Sequence, residues 1–369
     1  MTNKFIAEMI SRITPVDLSW LREAETRQLT LTKPPQSLGR LEEIACRLCA
    51  IQESIKPTAS PCRIIVFAAD HGVCEEGVSA YPGDVTRQMV ENFLAGGAAI
   101  NAIARVTGAR LTVVNIGIDC EIDPAADSAK LSNVADATGV TFINAPIDRG
   151  TMNFVRSPAM TEEQLAVSIK TGFDVAKEAA REGIKLIGLG EMGIGNTTAA
   201  SAITAALTGI AVEKVTGRGT GVDDKTYARK ITTIKKALER NQPDSNKPLD
   251  VLRKVGGFEI AGLCGLCLGA ASLRIAIIAD GFITTSAAAI AARLCPALTD
   301  YLFVAHLSAE PGHQALLELL SLKPLLDLNL RLGEGTGAAL AFGIMKAAAA
   351  TFNEMATFAS AGVANRMQS

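Results

Sequence analysis

From Cys62 onward the chain alternates short, continuous apolar runs with longer stretches of helical periodicity, and this alternation constrains the fold more than any other feature. The runs at 63–69, 111–118, 140–145, 185–189, 274–279 and 301–305 lack the every-second polar residue of a half-exposed strand. Strands of that kind are stable only with both faces covered, which predicts a parallel sheet. Stretches at 85–107, 162–182, 197–207, 227–240, 258–272 and 286–294 supply the covering helices. Strand, helix, strand repetition predicts right-handed βαβ units and a doubly wound, mainly parallel α/β sheet with helices on both faces.

Both ends of the chain read as helical instead. Pro34 and Pro35 stop any preceding helix, and Ser37 is placed to cap a segment in which Leu38, Leu41, Ala45 and Leu48 recur at helical spacing. The Ala-rich stretch after Gly335 is expected to pack back on these helices. The expected organisation is a small helical domain from 1–60 and 338–369, and a large Rossmann-like domain from 61–337 that carries the site.

Charge excludes some partners. With 36 Lys and Arg against 38 Asp and Glu, a net charge of −2, no basic excess exists for nucleic acid or an anionic membrane. The longest charge-free run, 192–212, holds Asn196, Ser201 and four threonines, too polar for a membrane span. Lys4, Glu8 and Arg12 interrupt the N-terminus, so no secretory apolar region is expected, and eight cysteines then read as free thiols in a reducing cytoplasm.

In an open parallel sheet, ligands bind beyond the carboxyl ends of the strands. Those ends carry Asp70-His71-Gly72, Asp119, Glu191, Asp280-Gly281, and His306 with Ser308. Asp70 and His71 read as a hydrogen-bonded strand-end pair. The sharpest feature is the segment 188–198, in which Gly188, Gly190, Gly193 and Gly195 precede Asn196, Thr197 and Thr198. Glycines admit backbone amides close to a ligand, and the positive end of the following helix suits a phosphate. Its glycine spacing also admits a dinucleotide reading. Glu191 would then sit inside the pyrophosphate turn, and Glu213 is only weakly placed as the acidic partner.

A second glycine loop, 216–221, contains Gly217, and Arg218 or Lys230 supplies the counter-charge that a phosphate monoester needs. In the third loop, 331–337, Glu334 stands among Gly333, Gly335 and Gly337, where it reads either as a helix N-terminal charge or as a general base. The pairs Cys46/Cys49 and Cys264/Cys267 lie in apolar helical segments, so core packing is expected rather than zinc.

Seven segments then carry a resemblance over nearly the whole length: 33–42, Ala69-Asp-His-Gly-Val73, Gly190-Glu-Met-Gly-Ile-Gly-Asn-Thr-Thr198, Val255-Gly-Gly-Phe258, Asp280-Gly-Phe282, His306-Leu-Ser-Ala-Glu310 and Arg331-Leu-Gly-Glu-Gly-Thr-Gly337. By these the chain resembles the nicotinate-nucleotide:dimethylbenzimidazole phosphoribosyltransferase family of cobalamin nucleotide-loop assembly. The resemblance implies a homodimer that transfers the phosphoribosyl group of nicotinate mononucleotide to a benzimidazole-type base, without cofactor or metal. It implies Glu334 as general base and Glu191 as a second carboxylate at the reacting centre. Phosphate and nucleotide contacts fall on Gly193, Gly195, Asn196, Thr197, Gly217, Lys230, Asp280, Ser308 and Gly337. The acceptor base is expected at the segment 79–89, on Ser79, Tyr81, Gln88 and Met89.

Overall fold

The computed structural model describes residues 2–122, 139–219 and 221–364. Thr220 of the second glycine loop, and 365–369 of the expected helical domain, lie outside the described residues.

Seven parallel strands form one sheet: β1 (Cys62–Ala69), β2 (Arg110–Gly117), β3 (Val140–Asn144), β4 (Leu186–Met192), β5 (Ala276–Ala279), β6 (Leu302–His306) and β7 (Pro324–Leu326). Their order is β3-β2-β1-β4-β5-β6-β7. The direction of winding therefore reverses between β1 and β4, where Ile64 pairs with Gly188 and Val66 with Gly190. Every residue of β1, β5 and β6 is buried, as continuous apolar strands require, whereas the edge strand β3 is only partly covered.

Alternation along β1 sorts the two faces. Ile64 and Val66 face the helix Thr336–Glu354 and its entry loop, while Phe67 faces the helix Phe258–Ser272. That second helix is buried over all of Phe258 to Ala271, packed between the sheet and the helix Glu162–Arg181. Its Cys264 and Cys267 are unpaired core thiols, as are Cys46 and Cys49 in the helix Arg40–Gln52. The helix Thr336–Glu354 packs on Arg40–Gln52, and Arg27 donates to the Phe352 carbonyl at 3.0 Å. The two chain ends thus meet as expected. No helix of the described residues is long and apolar enough to cross a membrane.

Several local expectations give way. The stretch 85–107 is two helices, Val85–Leu94 and Ala99–Thr107, because Gly96 adopts φ +75° between them. Ser37 is not a cap: the helix starts at Arg40 behind Gly39, and Lys33 instead pairs with Glu42 at 2.8 Å. The helices Pro248–Val255 and Pro311–Leu320 went unexpected although each opens on a proline, the residue preset for a first turn. β7 is three residues long, too short for a periodicity signal.

Candidate active site

The reversal between β1 and β4 opens a crevice at the carboxyl ends of the strands, where doubly wound sheets bind ligands. A recess lies there, lined by Ser79, Gly193, Gly195, Asn196, Thr197 and Lys230 among others. The turn 193–195 feeds directly into the helix Asn196–Thr208, with Gly195 as its N-cap in left-handed backbone. Backbone amides and the positive helix end thus face the recess, a setting suited to an anion.

Lys230 comes from the middle of the helix Asp224–Asn241 and is 1% exposed. Its Nζ donates to Thr197 Oγ1 at 2.8 Å and to the Gly217 carbonyl at 3.3 Å, which ties the two glycine loops together. Burial pushes its pKa down to about 8, against the opposite pull of Glu310. Arg218, the alternative counter-charge, also lines the recess but pairs with Asp224 and donates to the Val222 carbonyl at 2.9 Å.

Behind the recess four buried carboxylates converge: Glu191, Glu259, Asp280 and Glu334. Glu191 belongs to β4 itself, since that strand runs on to Met192 rather than ending at 189. Its carboxyl accepts from the Asn196 side-chain amide, so Asn196 links the phosphate turn to the acid cluster. Burial raises its pKa to about 8, reinforced by the charges of Asp280, Glu259 and Glu334 and opposed by Asn196. Glu334 Oε2 accepts the Ile100 backbone N–H at 3.3 Å, and burial raises its pKa despite that bond.

Two glycines make this convergence possible. A Cβ on Gly333 would overlap the Glu191 carboxylate, and one on Gly190 would lie 2.8 Å from the Glu334 carbonyl oxygen. Asp280 accepts the Ala338 N–H at 2.8 Å through Oδ1, which seats it under the first turn of the helix Thr336–Glu354, beside Gly337 and the His306 ring. Burial raises its pKa as well, against His306 and the surrounding amides.

Asp70 and His71 do not bond to each other as expected. Asp70 Oδ2 accepts the Asp119 N–H at 2.9 Å, and His71 Nε2 meets Glu259 Oε1 at 2.7 Å with both side chains fully buried. Parallel strand ends splay neighbouring side chains apart, so each finds a partner on another element. Burial disfavours the His71 cation, but Glu259 and then Asp70 outweigh it and raise its pKa.

Of the expected acceptor residues, Ser79 lines the recess and Met89 packs on the core, while Tyr81 and Gln88 are exposed. Gly217 sits against the Glu310 carboxylate, and Ser308 Oγ accepts the Glu310 N–H at 3.3 Å. Glu259 and Glu310 are the site residues that sequence reasoning missed. A signal existed for Glu259, the one carboxylate in an otherwise apolar helix. Among the described residues no cluster of His, Cys, Asp and Glu has the arrangement to hold a metal ion.

This chain is similar to known proteins along its length. A family model described as "Phosphoribosyltransferase" matches residues 13–363. The nicotinate-nucleotide–dimethylbenzimidazole phosphoribosyltransferase of Geobacter sulfurreducens is 49% identical over 359 residues, spanning 97% of this chain and 98% of the relative. That of Chloroflexus aurantiacus is 48% identical over 362 residues, 98% of this chain and 99% of the relative. The crystal structure of the Thermus thermophilus phosphoribosyltransferase superposes with a TM-score of 0.85 at 43% identity, covering 95% of this chain and all of that one. A structure from the same organism, named CobT, gives 0.86 at 44% identity, covering 94% of this chain and all of that one.

Proposed function

Since the chain belongs to the nicotinate-nucleotide:dimethylbenzimidazole phosphoribosyltransferase family, we propose that it moves the 5-phosphoribosyl group of nicotinate mononucleotide onto 5,6-dimethylbenzimidazole or a related base. The products are α-ribazole 5′-phosphate and nicotinate. One benzimidazole nitrogen attacks C1′ as the bond from C1′ to the pyridinium nitrogen breaks and its electron pair returns to the ring. The configuration inverts from β to α. The leaving group is already a cation becoming neutral, so the departure is activated before any protein group acts.

In this reading Glu334 takes the proton from the second benzimidazole nitrogen, which keeps positive charge from building on the nucleophile. Glu191, once ionised, stabilises the positive charge that develops on the ribosyl carbon. The phosphate is held at Gly193, Gly195, Asn196, Thr197, Gly217 and Lys230, with Asp280, Ser308 and Gly337 completing the nucleotide site. The base lies along Ser79, Tyr81, Gln88 and Met89. The working unit is a homodimer in the cytoplasm, the latter in keeping with eight unpaired thiols. The helices of 1–60 and 338–369 are read as a second unit beside the catalytic 61–337, with the helix Thr336–Glu354 shared between them because it packs both on the sheet and on Arg40–Gln52.

One observation carries this reading. Two carboxylates from separate elements, Glu191 near the end of β4 and Glu334 in the loop before the helix Thr336–Glu354, stand behind a recess whose other side offers helix amides and a buried lysine. Incubation with nicotinate mononucleotide and dimethylbenzimidazole, followed by chromatography, tests it: nicotinate and α-ribazole 5′-phosphate are expected in equal amounts. No nicotinate release would sink the proposal. A panel of benzimidazoles, purines and phenols run side by side identifies the preferred acceptor.

A further inference from the structure

His313 is 0% exposed, lies outside every segment assigned above, and is bonded at both ring nitrogens. The backbone N–H of Ser308 donates to Nδ1 at 2.9 Å. A backbone amide has only a proton to offer, so Nδ1 must carry the lone pair. The remaining ring proton is then on Nε2, where it is donated to Thr285 Oγ1 at 3.0 Å. The tautomer is thus dictated by geometry. Burial, with the charge of neighbouring His306, pushes the His313 pKa down to about 3, which keeps the ring neutral.

The contacts continue outward from Ser308. Its Oγ accepts the Glu310 N–H at 3.3 Å, and Glu310 Oε1 accepts the Gly219 N–H at 2.9 Å. Glu310 Oε2, buried without a hydrogen-bond partner, lies against Gly217. One side chain on the helix Pro311–Leu320 therefore anchors a path from the helix Phe282–Leu294, through the loop after β6, to the second glycine loop.

We propose that His313 is a positioning residue of the phosphoribosyl site, whose Nδ1 lone pair holds Ser308 and, through Glu310, the glycine turn at 217–219. This rests on the reading that these segments grip the nucleotide. His313 acts through Ser308 and Glu310, so its loss is expected to weaken nucleotide binding and to leave turnover of bound substrate alone.

The two amide replacements of histidine separate this from a general packing role. His313→Asn places its amide oxygen near the former Nδ1 and keeps an acceptor for Ser308. His313→Gln places its amide nearer the former Nε2 and leaves the buried Ser308 N–H unpaired. For His313→Gln the KM for nicotinate mononucleotide is expected to rise about tenfold, with kcat and the benzimidazole KM within about twofold of the parent. His313→Asn is expected to stay within about threefold on all three. Equal effects from the two variants, or a loss confined to kcat, would overturn the proposal.

Two measurements stand apart from turnover. Titration with inorganic phosphate should show the same ranking of affinities, parent and Asn above Gln, and equal affinities in all three would refute it. With three histidines in the chain, ¹⁵N NMR can read the His313 tautomer in the parent between pH 6 and 8. A proton on Nδ1 would overturn the assignment even if neither variant folds. A parent that binds phosphate with this ranking yet releases no nicotinate would refute the proposed reaction and not the role of His313.

Discussion

The Glu334 carboxylate accepts the backbone N–H of Ile100 at 3.3 Å, so a residue in left-handed backbone, φ +63°, points at the first turn of the helix Ala99–Thr107. A non-glycine residue there is held by its surroundings at a local energetic cost. Those surroundings are Gly333 and Gly335 on either side and the close approach of Gly190. The positive helix end favours the ionised carboxylate, while burial favours the neutral one, and burial prevails. A carboxylate with a raised pKa is a better proton acceptor than a solvated one.

Replacing that base should expose its role. Glu334→Gln keeps the shape and an acceptor for Ile100 but cannot take a proton. We expect kcat to fall by roughly 10² to 10⁴ with the nucleotide KM changed by less than about threefold, read from nicotinate release. Turnover equal to the parent would remove Glu334 from the mechanism.

Glu191 makes stability depend on pH. Its folded pKa, about 8, lies above the ordinary 4.5. The stabilisation from its neutral form is therefore complete below about pH 4.5 and is lost as pH rises through about 8. Glu191→Gln should melt a few degrees higher than the parent at pH 8.5, and the gap should close toward pH 5. Thermal unfolding of both proteins across this range decides it, and parallel curves would contradict the assignment. In the parent, kcat/KM should climb over the same interval as Glu191 ionises, a rise that Glu191→Gln lacks.

Lys230 is the buried cation of the recess. Lys230→Met removes its charge while keeping most of its length, and the nucleotide KM should rise by about 10- to 150-fold, the range for a hydrogen bond to a charged group. With its pKa near 8, the parent's own nucleotide KM should also increase above that pH. Steady-state kinetics at pH 7 and 9 test both statements, and a pH-independent KM would argue that another group carries the phosphate.

Gly333→Ala probes the packing of the acid cluster. Gly333 adopts φ +89°, and an added methyl would overlap the Glu191 carboxylate. We expect a stability loss of about 1–3 kcal/mol together with at least a tenfold drop in turnover as Glu191 is displaced. Denaturant unfolding and an activity assay on the same preparation would show it. An active, fully stable variant would mean that the loop 331–335 shifts without consequence.

Six of the seven strands are legible as apolar runs, the pattern that cover on both faces demands, although β3 at the sheet edge is only partly covered. β7 escaped because three residues carry no period, and the break at Gly96 because helical periodicity continues across it. The glycine loops were legible for a related reason: backbone that must approach a ligand or another chain segment closely has few residue types open to it. For the same reason the loops that hold Gly193, Gly195 and Gly217 stand out in the sequence. Adjacency in sequence suggests Asp70 as the partner of His71, whereas side chains at a strand end diverge and His71 meets Glu259 instead.

What the sequence determined on its own is the layered parallel architecture and the strand ends from which polar groups emerge, because apolar patterning and turn chemistry are local properties. Only the tertiary structure decided that Glu191, Glu259, Asp280 and Glu334 share one buried cluster, that Asn196 bonds to Glu191, and that His313 faces Ser308. Those partners come from separate strand ends and helices. Their burial, their pKa shifts and even the tautomer of a histidine depend on which groups lie within a few ångströms in space, and no local pattern encodes that distance.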